Sequence, residues 1–229
     1  MKVRVLALAL SAAALAACSG ESGGKATLWI TRDKGTHVLL VRKVPSGLTA
    51  MQALDRVADI KTRYAGRFVE AINGIEGSLS ARRDWFYFVN GIQADRSAAE
   101  YRLGVGDIEW WDYRSWRGRP EYPIVAGAFP EPLLHGYDGK RRRTAVRFRF
   151  PELAALARRL GRFVRARSVA PLGRPVPRGW NLVDLGRGTR LYASNAGDPD
   201  GPVTFEIGAG TARRLLDDPT AYRFRFSVP

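Results

Sequence analysis

The chain has little material for thiol or metal chemistry. Its 229 residues include one cysteine, Cys18, and two histidines, His37 and His135. A single cysteine excludes an intramolecular disulfide, so the hydrophobic core alone must stabilise the fold. Neither histidine has a Cys, Asp or His neighbour at the spacing of a metal site or a catalytic triad. The sequence therefore predicts a protein that is not an enzyme and that holds no metal or cofactor of its own.

The sequence also lacks an apolar run long enough to cross a bilayer. Lys2 and Arg4 precede a short apolar stretch, residues 5–14, which is typical of a secretory signal because a bilayer core is roughly 30 Å thick. The stretch ends in Leu-Ala-Ala-Cys, which resembles the lipobox of bacterial lipoproteins. That resemblance implies a signal peptide over residues 1–17, lipidation of Cys18, and a lipid-anchored flexible tether over residues 18–26. We therefore expect a lipoprotein on the extracytoplasmic face of the cell membrane; an ordinary secretory signal with an incidental cysteine is the alternative.

Acidic residues are scarce in the second half of the chain. Between residues 140 and 190 there are 15 Lys or Arg residues and two acidic ones, Glu152 and Asp184. In a cytosolic protein such a block would favour nucleic acid binding, but an exported protein does not normally meet nucleic acid. The candidate partners are therefore anionic lipid, anionic wall polymer or an anionic ligand. A solvated arginine surface without a partner is the alternative.

Turn and periodicity patterns between residues 27 and 118 predict the order β-β-α-β-β-β. Residues 33–35 separate two apolar strands and predict a hairpin. Thr49 and Gln52 form a capping box at the start of a helix. Asn90-Gly91 predicts a second hairpin turn, and a last strand follows it. One helix packed on a mixed sheet in this order is the arrangement of a β-grasp domain.

Four motifs in this half carry a resemblance to a known family. T-A-x-x-A-L-D, I-N-G, W-F-Y-F-V-N-G and Y-R-L-G-V-G-D-I-E-W occur in this order between residues 49 and 110. The segment resembles the β-grasp domain at the C-terminus of transcobalamin and intrinsic factor, which recurs in bacterial surface lipoproteins. The resemblance implies binding of a corrinoid such as cobalamin, or of another flat organic ligand, for delivery to an import transporter. The large helical domain of those carriers has no counterpart here, so other residues would have to enclose the rest of the ligand.

After residue 118 the composition changes. Residues 119–143 are rich in Pro and Gly and predict a linker or a lid. Residues 144–229 predict a small basic α/β domain that begins with a strand, continues with a helix after Pro151, and ends with a strand over residues 222–228. The predicted fold class is therefore α+β, with a β-grasp-like domain followed by a small α/β domain.

The stretch DWFYFVNG, residues 84–91, is apolar on both faces of its predicted strand. We expect Phe86 and Phe88 to pack under the helix, and Trp85 and Tyr87 to lie on the opposite face. In the last strand, Trp111 and Tyr113 are expected in the core and Trp110 on a more polar face. Aromatic side chains suit a flat ligand because they bury a large area and keep a polar edge. The predicted ligand-binding residues are Trp85, Tyr87, Trp110, Arg114, Trp116 and His135.

Alternatives remain for these residues and for the whole protein. Alternate aromatic residues could simply be core, and His135 could either bond the backbone of its loop or serve as an axial ligand to cobalt. The sequence favours a membrane-anchored binding lipoprotein. The alternative is a cell-envelope structural or interaction protein that binds anionic lipid or wall polymer through its arginine-rich half.

Overall fold

The computed structural model describes residues 23–117, 124–195 and 197–229, which form three sheets and four α-helices. The predicted signal peptide and Cys18 lie outside the described residues, and so does most of the predicted tether. No helix in the described ranges is long and apolar enough to cross a membrane. The strands are β1 (Lys25–Arg32), β2 (His37–Pro45), β3 (Ile60–Arg63), β4 (Phe68–Ile72), β5 (Ile75–Glu76), β6 (Arg83–Val89), β7 (Ile92–Gln93), β8 (Ile108–Ser115), β9 (Thr144–Phe148), β10 (Ser168–Pro171), β11 (Asn181–Gly186), β12 (Leu191–Ser194) and β13 (Thr204–Gly208). The helices are α1 (Ala50–Asp55), α2 (Glu131–Leu134), α3 (Ala154–Phe163) and α4 (Ala209–Asp217).

The first sheet has the order β2-β1-β8-β6-β7. Strand β1 runs parallel to β8, and the other neighbours are antiparallel. The capping box at α1 is confirmed, since the Gln52 N–H donates to Thr49 Oγ1 at 3.1 Å and the Thr49 N–H donates to Gln52 Oε1 at 3.0 Å. Both predicted hairpins of this half are confirmed. The first and last strands of the unit therefore lie side by side in the middle of the sheet, between the two hairpins.

Asn90 and Gly91 explain why two of the sequence motifs occur together. Both residues have positive φ, 51° and 80°, as the tightest hairpin turn requires. The Asn90 side chain is fully buried, and it donates to Asp107 Oδ1 at 2.8 Å and accepts from the Ile108 N–H at 2.8 Å. The V-N-G turn is thus bonded directly to the start of β8, so the turn and the G-D-I motif form one structural unit.

A second, three-stranded sheet has the order β3-β4-β5. The strand β4 was predicted from the sequence, whereas β3 was not. The turn between them contains Tyr64 and Ala65 at φ values of 52° and 54°, followed by Gly66. The hairpin carries two exposed aromatic side chains, Tyr64 in its turn and Phe68 at the start of β4.

The third sheet has the order β10-β9-β11-β13-β12. Its first four strands in this order, β10, β9, β11 and β13, are parallel to one another. Alternate residues of β11 are buried, such as Val183 and Leu185, and face the layer of α3 and α4. On the opposite face Asp184 accepts two hydrogen bonds from Arg147, at 2.7 and 2.6 Å. The structure confirms the mixed α and β content predicted from the sequence. In this sheet, β10 is a strand that was not predicted.

The predicted final strand over residues 222–228 is wrong. This segment forms turns, and Phe224 has a φ of 68°, which a strand does not allow. Phe226 instead packs on Trp110 of the first sheet, with the ring centroids 5.5 Å apart, and Phe224 packs on Trp29 at 4.8 Å. The alternation of aromatic and basic residues therefore reflects insertion of two rings into the first sheet's outer face. We call residues 222–226 the aromatic tail.

A close backbone approach holds the aromatic tail in place. The Gly127 N–H donates to the Arg225 carbonyl at 2.7 Å, and the Ala126 N–H donates to the Phe226 carbonyl at 3.2 Å. A Cβ at Gly127 would lie 2.5 Å from the Tyr222 carbonyl oxygen, so only glycine fits there. The C-terminal end of the chain is thereby built into the first sheet's packing.

We predict that Phe226→Ala strongly destabilises the protein. Phe226 is 7% exposed and contacts Trp110 and Phe88, so truncation would leave a cavity between these rings. Loss of a buried phenylalanine side chain lowers the free energy of unfolding by about 3 to 5 kcal/mol. Urea denaturation measures the change. Tyr192→Ala, at an exposed aromatic of the third sheet, is the control, and a loss no larger than that of the control would contradict the packing role.

Candidate functional site

The candidate site lies along the free edge of β6. This strand pairs with β8 along its whole length but with β7 only at Phe88 and Val89. The Ala94 N–H donates to the Tyr87 carbonyl, so the carbonyl of Trp85, two residues away, faces the same edge. A cavity of about 640 Å³ lies beside this edge, lined by β6, the β3–β4 hairpin and residues 93–98. We call it the edge cavity.

Fixed aromatic rings line the inner side of the edge cavity. Tyr87 stacks on Trp111 with ring centroids 5.0 Å apart and an interplanar angle of 20°. The Trp85 indole N–H donates to the Ile75 carbonyl at 2.8 Å, and the Tyr87 hydroxyl donates to the Arg96 carbonyl at 2.6 Å. Burial raises the pKa of Tyr87, so this hydroxyl keeps its proton. The rings thus form a rigid wall whose polar atoms already have partners.

Exposed aromatic side chains of the β3–β4 hairpin line the same cavity. Tyr64 is 76% exposed and Phe68 is 41% exposed, and their rings meet edge to face at 6.3 Å. Large apolar side chains this exposed mark a binding surface more often when they border a concave space. The cavity therefore has one wall of fixed rings and a second of solvent-facing rings.

Charged side chains border the edge cavity at residues 95–97. Arg96 donates to both carboxylate oxygens of Asp95, at 2.8 and 3.3 Å, and also pairs with Asp138 at 3.2 Å. These arginine bonds, followed by the Tyr137 hydroxyl that donates to Asp95 at 2.6 Å, hold the pKa of Asp95 below its ordinary value. Asp95 is thus a fixed hydrogen-bond acceptor at the rim, and the cavity combines apolar walls with a polar border.

The structure brings only some of the predicted ligand-binding residues together. Trp85 and Tyr87 line the edge cavity, together with Trp111, which the sequence reasoning placed in the core. Trp85 packs on the same side of the sheet as α1, while Phe88 lies on the opposite side with Trp110. The prediction that Phe86 and Phe88 pack under the helix is therefore wrong, because strand alternation defines two faces without saying which one the helix covers.

Trp110 and Arg114 lie on the opposite face from the edge cavity. Trp110 is fully buried, and its indole N–H donates to Thr31 Oγ1 at 2.8 Å. The Arg114 guanidinium is buried against aromatic rings, 4.4 Å from the centroid of Phe86 and 4.9 Å from that of Phe226. The expectation that Trp110 faces a polar surface is wrong, because the aromatic tail covers this face.

Trp116 and His135 lie away from the edge cavity as well. Trp116 is 39% exposed at the end of β8, with the Arg82 guanidinium 5.9 Å from its ring. His135 Nδ1 lies 2.6 Å from Glu131 Oε2, one helical turn earlier. A Cβ on Gly106 would meet the His135 ring at 2.4 Å, so the imidazole packs directly on that glycine. Within the described ranges no three His, Cys, Asp or Glu side chains are grouped to hold a metal ion.

The sequence reasoning missed Tyr64, Phe68 and Arg96. A signal was present for the first two, because the Tyr-Ala-Gly turn between alternating residues is a hairpin pattern with an aromatic at its tip. The predicted lid function of residues 119–143 finds no support at this cavity, since its lining residues all precede position 112. Residues 118–123 of that segment lie outside the described ranges.

Glu109 lies next to the aromatic wall and is fully buried. Its Oε1 accepts the Trp111 indole N–H at 2.5 Å, and its Oε2 has no hydrogen-bond partner among the described residues. Burial raises the pKa of Glu109 well above the ordinary value, and the Trp111 bond opposes this only in part. Burial therefore favours the protonated, uncharged form of this carboxyl, and its hydrogen bond orients the Trp111 ring.

We predict that Glu109 makes the protein less stable as pH rises. Above the ordinary pKa the unfolded state loses the Glu109 proton while the folded state retains it, so the free energy of unfolding falls by at most about 1.4 kcal/mol per pH unit until the folded pKa is reached. Glu109→Gln keeps an acceptor for Trp111 and removes the titration. The variant should match the parent near pH 4 and exceed it increasingly toward pH 8 in urea denaturation; an equal difference at both pH values would contradict the neutral carboxyl.

Comparisons with known proteins place the edge cavity within a segment shared with other chains. The model of a family described as a domain of unknown function, DUF4430, matches residues 47–115. No curated protein matches. A Ruminococcus gnavus protein described as a candidate metal binder is 16% identical, with a TM-score of 0.33; the match covers 40% of this chain and 97% of that one. Haptocorrin in complex with Cbi is 13% identical, with a TM-score of 0.36, and the match covers 42% of this chain and 26% of haptocorrin. Each is similar to this chain in part.

Proposed function

We propose that the edge cavity is a binding site for a flat organic ligand and that the protein is an extracytoplasmic binding lipoprotein. The observation that carries the proposal is the pair of aromatic walls, one fixed by the Tyr87–Trp111 stack and one exposed at Tyr64 and Phe68. A ligand in the cavity would bury apolar surface against the rings of both walls. The volume of about 640 Å³ lies within the usual range for small-molecule pockets.

The polar border supports a ligand that carries hydrogen-bonding groups at its edge. The Trp85 carbonyl faces the free edge of β6, and Asp95 and Arg96 border the cavity. Asp95 offers carboxylate oxygens to amide N–H groups, whereas Arg96 offers N–H donors to carbonyl groups. A flat ring with amide side chains matches this arrangement, and we therefore propose the corrinoids as the ligand class to test first.

The remaining parts of the proposal are supported by the sheet order and by the sequence. The order β2-β1-β8-β6-β7, with parallel central strands and α1 on one face, supports a β-grasp assignment for the first unit. The signal-like N-terminus supports export, lipidation of Cys18 and delivery of the captured ligand to an import transporter. We propose binding rather than catalysis, because neither the sequence nor the described residues supply a nucleophile paired with a base in the edge cavity.

Corrinoid binding is measurable by equilibrium dialysis with cobinamide, with tryptophan fluorescence as a second readout. Trp85 and Trp111 line the cavity, so an absorbing ligand seated there should quench them. We expect saturable binding with a Kd in the micromolar range or below, with quenching that follows the same curve. No retention of cobinamide at tens of micromolar would remove the corrinoids, and a panel of other flat heteroaromatic compounds would then test the cavity itself.

Substitution of the exposed wall should separate binding from stability. Tyr64→Ala combined with Phe68→Ala removes one stacking surface, and we predict about tenfold weaker binding with an unfolding free energy within about 0.5 kcal/mol of the parent. Tyr192→Ala, which removes a 37% exposed ring from the third sheet, is the matched control. Equal affinities of the parent and the double variant would place the ligand elsewhere.

A further inference from the structure

The arginine-rich half of the chain is electrically asymmetric. No acidic residue occurs between Glu152 and Asp184, a segment that includes all of α3. On the open face of the third sheet two of the cations are neutralised, since Arg147 pairs with Asp184 at 2.6 Å and Arg190 with Glu206 at 2.8 Å, whereas Arg149 is exposed beside them. The opposite, helical side of this sheet carries a separate group of exposed cations, and no salt bridge joins them to a carboxylate of the described residues.

Helix α3 presents its arginines on one side. Its buried residues form an apolar stripe toward the sheet, for example Leu156 and Leu160. Arg158 and Arg162 lie one helical turn apart on α3, and Arg165 follows just beyond the helix end, where its φ is 51°. All three are exposed, and within the described ranges they make no ion pair or side-chain hydrogen bond. Their guanidinium groups are directed to solvent.

Helix α4 extends this positive side. It packs beside α3 on the same face of the sheet, with Ala212 and Leu215 buried, and it exposes Arg213 and Arg214. The acidic residues nearest in sequence are Glu152 before α3, which pairs with Arg187, and Asp217 and Asp218 at the end of α4, where Asp218 lies close enough to attract the Arg214 guanidinium. We call the exposed cations of the two helices the arginine face; it comprises Arg158, Arg159, Arg162, Arg165, Arg213 and Arg214.

We propose that the arginine face binds the surface of an anionic phospholipid bilayer. Two helices that lie side by side on a sheet give a broad outer surface rather than a groove, and a broad positive surface complements a planar array of phosphate headgroups. Guanidinium groups donate two parallel hydrogen bonds to phosphate oxygens, which favours arginine for this contact. This site is distinct from the edge cavity, so the two binding activities are independent.

Vesicle co-sedimentation tests the proposal on a chain that begins at residue 23, which retains every helix and strand of the structure. We expect binding to vesicles of phosphatidylcholine with phosphatidylglycerol, little binding to phosphatidylcholine alone, and steep weakening by salt because the Debye length is about 10 Å at 0.1 M ionic strength. Arg158→Gln, Arg162→Gln and Arg213→Gln together should weaken binding by about a hundredfold, since each surface arginine contributes about fivefold.

A control variant with the same charge change separates this face from overall charge. Lys25→Gln, Arg42→Gln and Arg56→Gln remove three exposed cations of the first half that pair with no carboxylate in the described ranges. This variant should bind vesicles within about twofold of the parent.

Equal losses in both variants would overturn the proposal in favour of unspecific attraction. Vesicle binding that survives the arginine-face changes would overturn it too, as would retention of a soluble polyglycerol phosphate without vesicle binding, which would indicate wall polymer. Cobinamide binding should be unchanged in both variants.

Discussion

Trp110 and Trp111 are neighbours in the central strand β8 and point to opposite faces of the first sheet, and what covers each ring determines the organisation of the protein. Trp110 is enclosed by Trp29, Phe88 and Phe226, so one face is sealed by the C-terminal end of the chain. Trp111 stacks on Tyr87 beneath an open cavity. Strand β8 therefore places an aromatic ring on each face of the sheet. Its neighbour β6 contributes to the same two faces, which explains why the aromatic run in β6 is apolar on both sides.

This division explains why only one face is available for a ligand. The face that carries Trp110 is covered by the aromatic tail and has no room for a ligand. The opposite face borders the edge of β6, where β7 pairs only with Phe88 and Val89 and leaves the rest of the edge uncovered. The exposed rings of the β3–β4 hairpin line the cavity at that edge. The arginine face belongs to a different layer and a different partner.

Much of the fold could be predicted from local patterns. The capping box of Thr49 and Gln52, the Asn90-Gly91 turn and the alternating strands each depend on neighbouring residues and occur as expected. The errors arise where residues far apart in the sequence determine the packing of a segment. Alternation showed two apolar faces of β6 without showing that α1 covers the side of Trp85, and the alternating aromatic tail resembled a strand because insertion between Trp29 and Trp110 has no local signal. Only Trp85 and Tyr87 of the predicted ligand-binding residues line the edge cavity, whose second wall comes from an unpredicted hairpin.

The account is tested most directly by the indole N–H resonances of the six tryptophans during a cobinamide titration. Each indole reports one location, so a single experiment distinguishes the two faces of the sheet. We predict that the resonances of Trp85 and Trp111 shift in a saturable manner, while those of Trp29 and Trp110, under the aromatic tail, remain in place. Shifts confined to Trp29 or Trp110, or cobinamide binding that moves no indole resonance, would contradict the assignment of the binding site to the edge cavity.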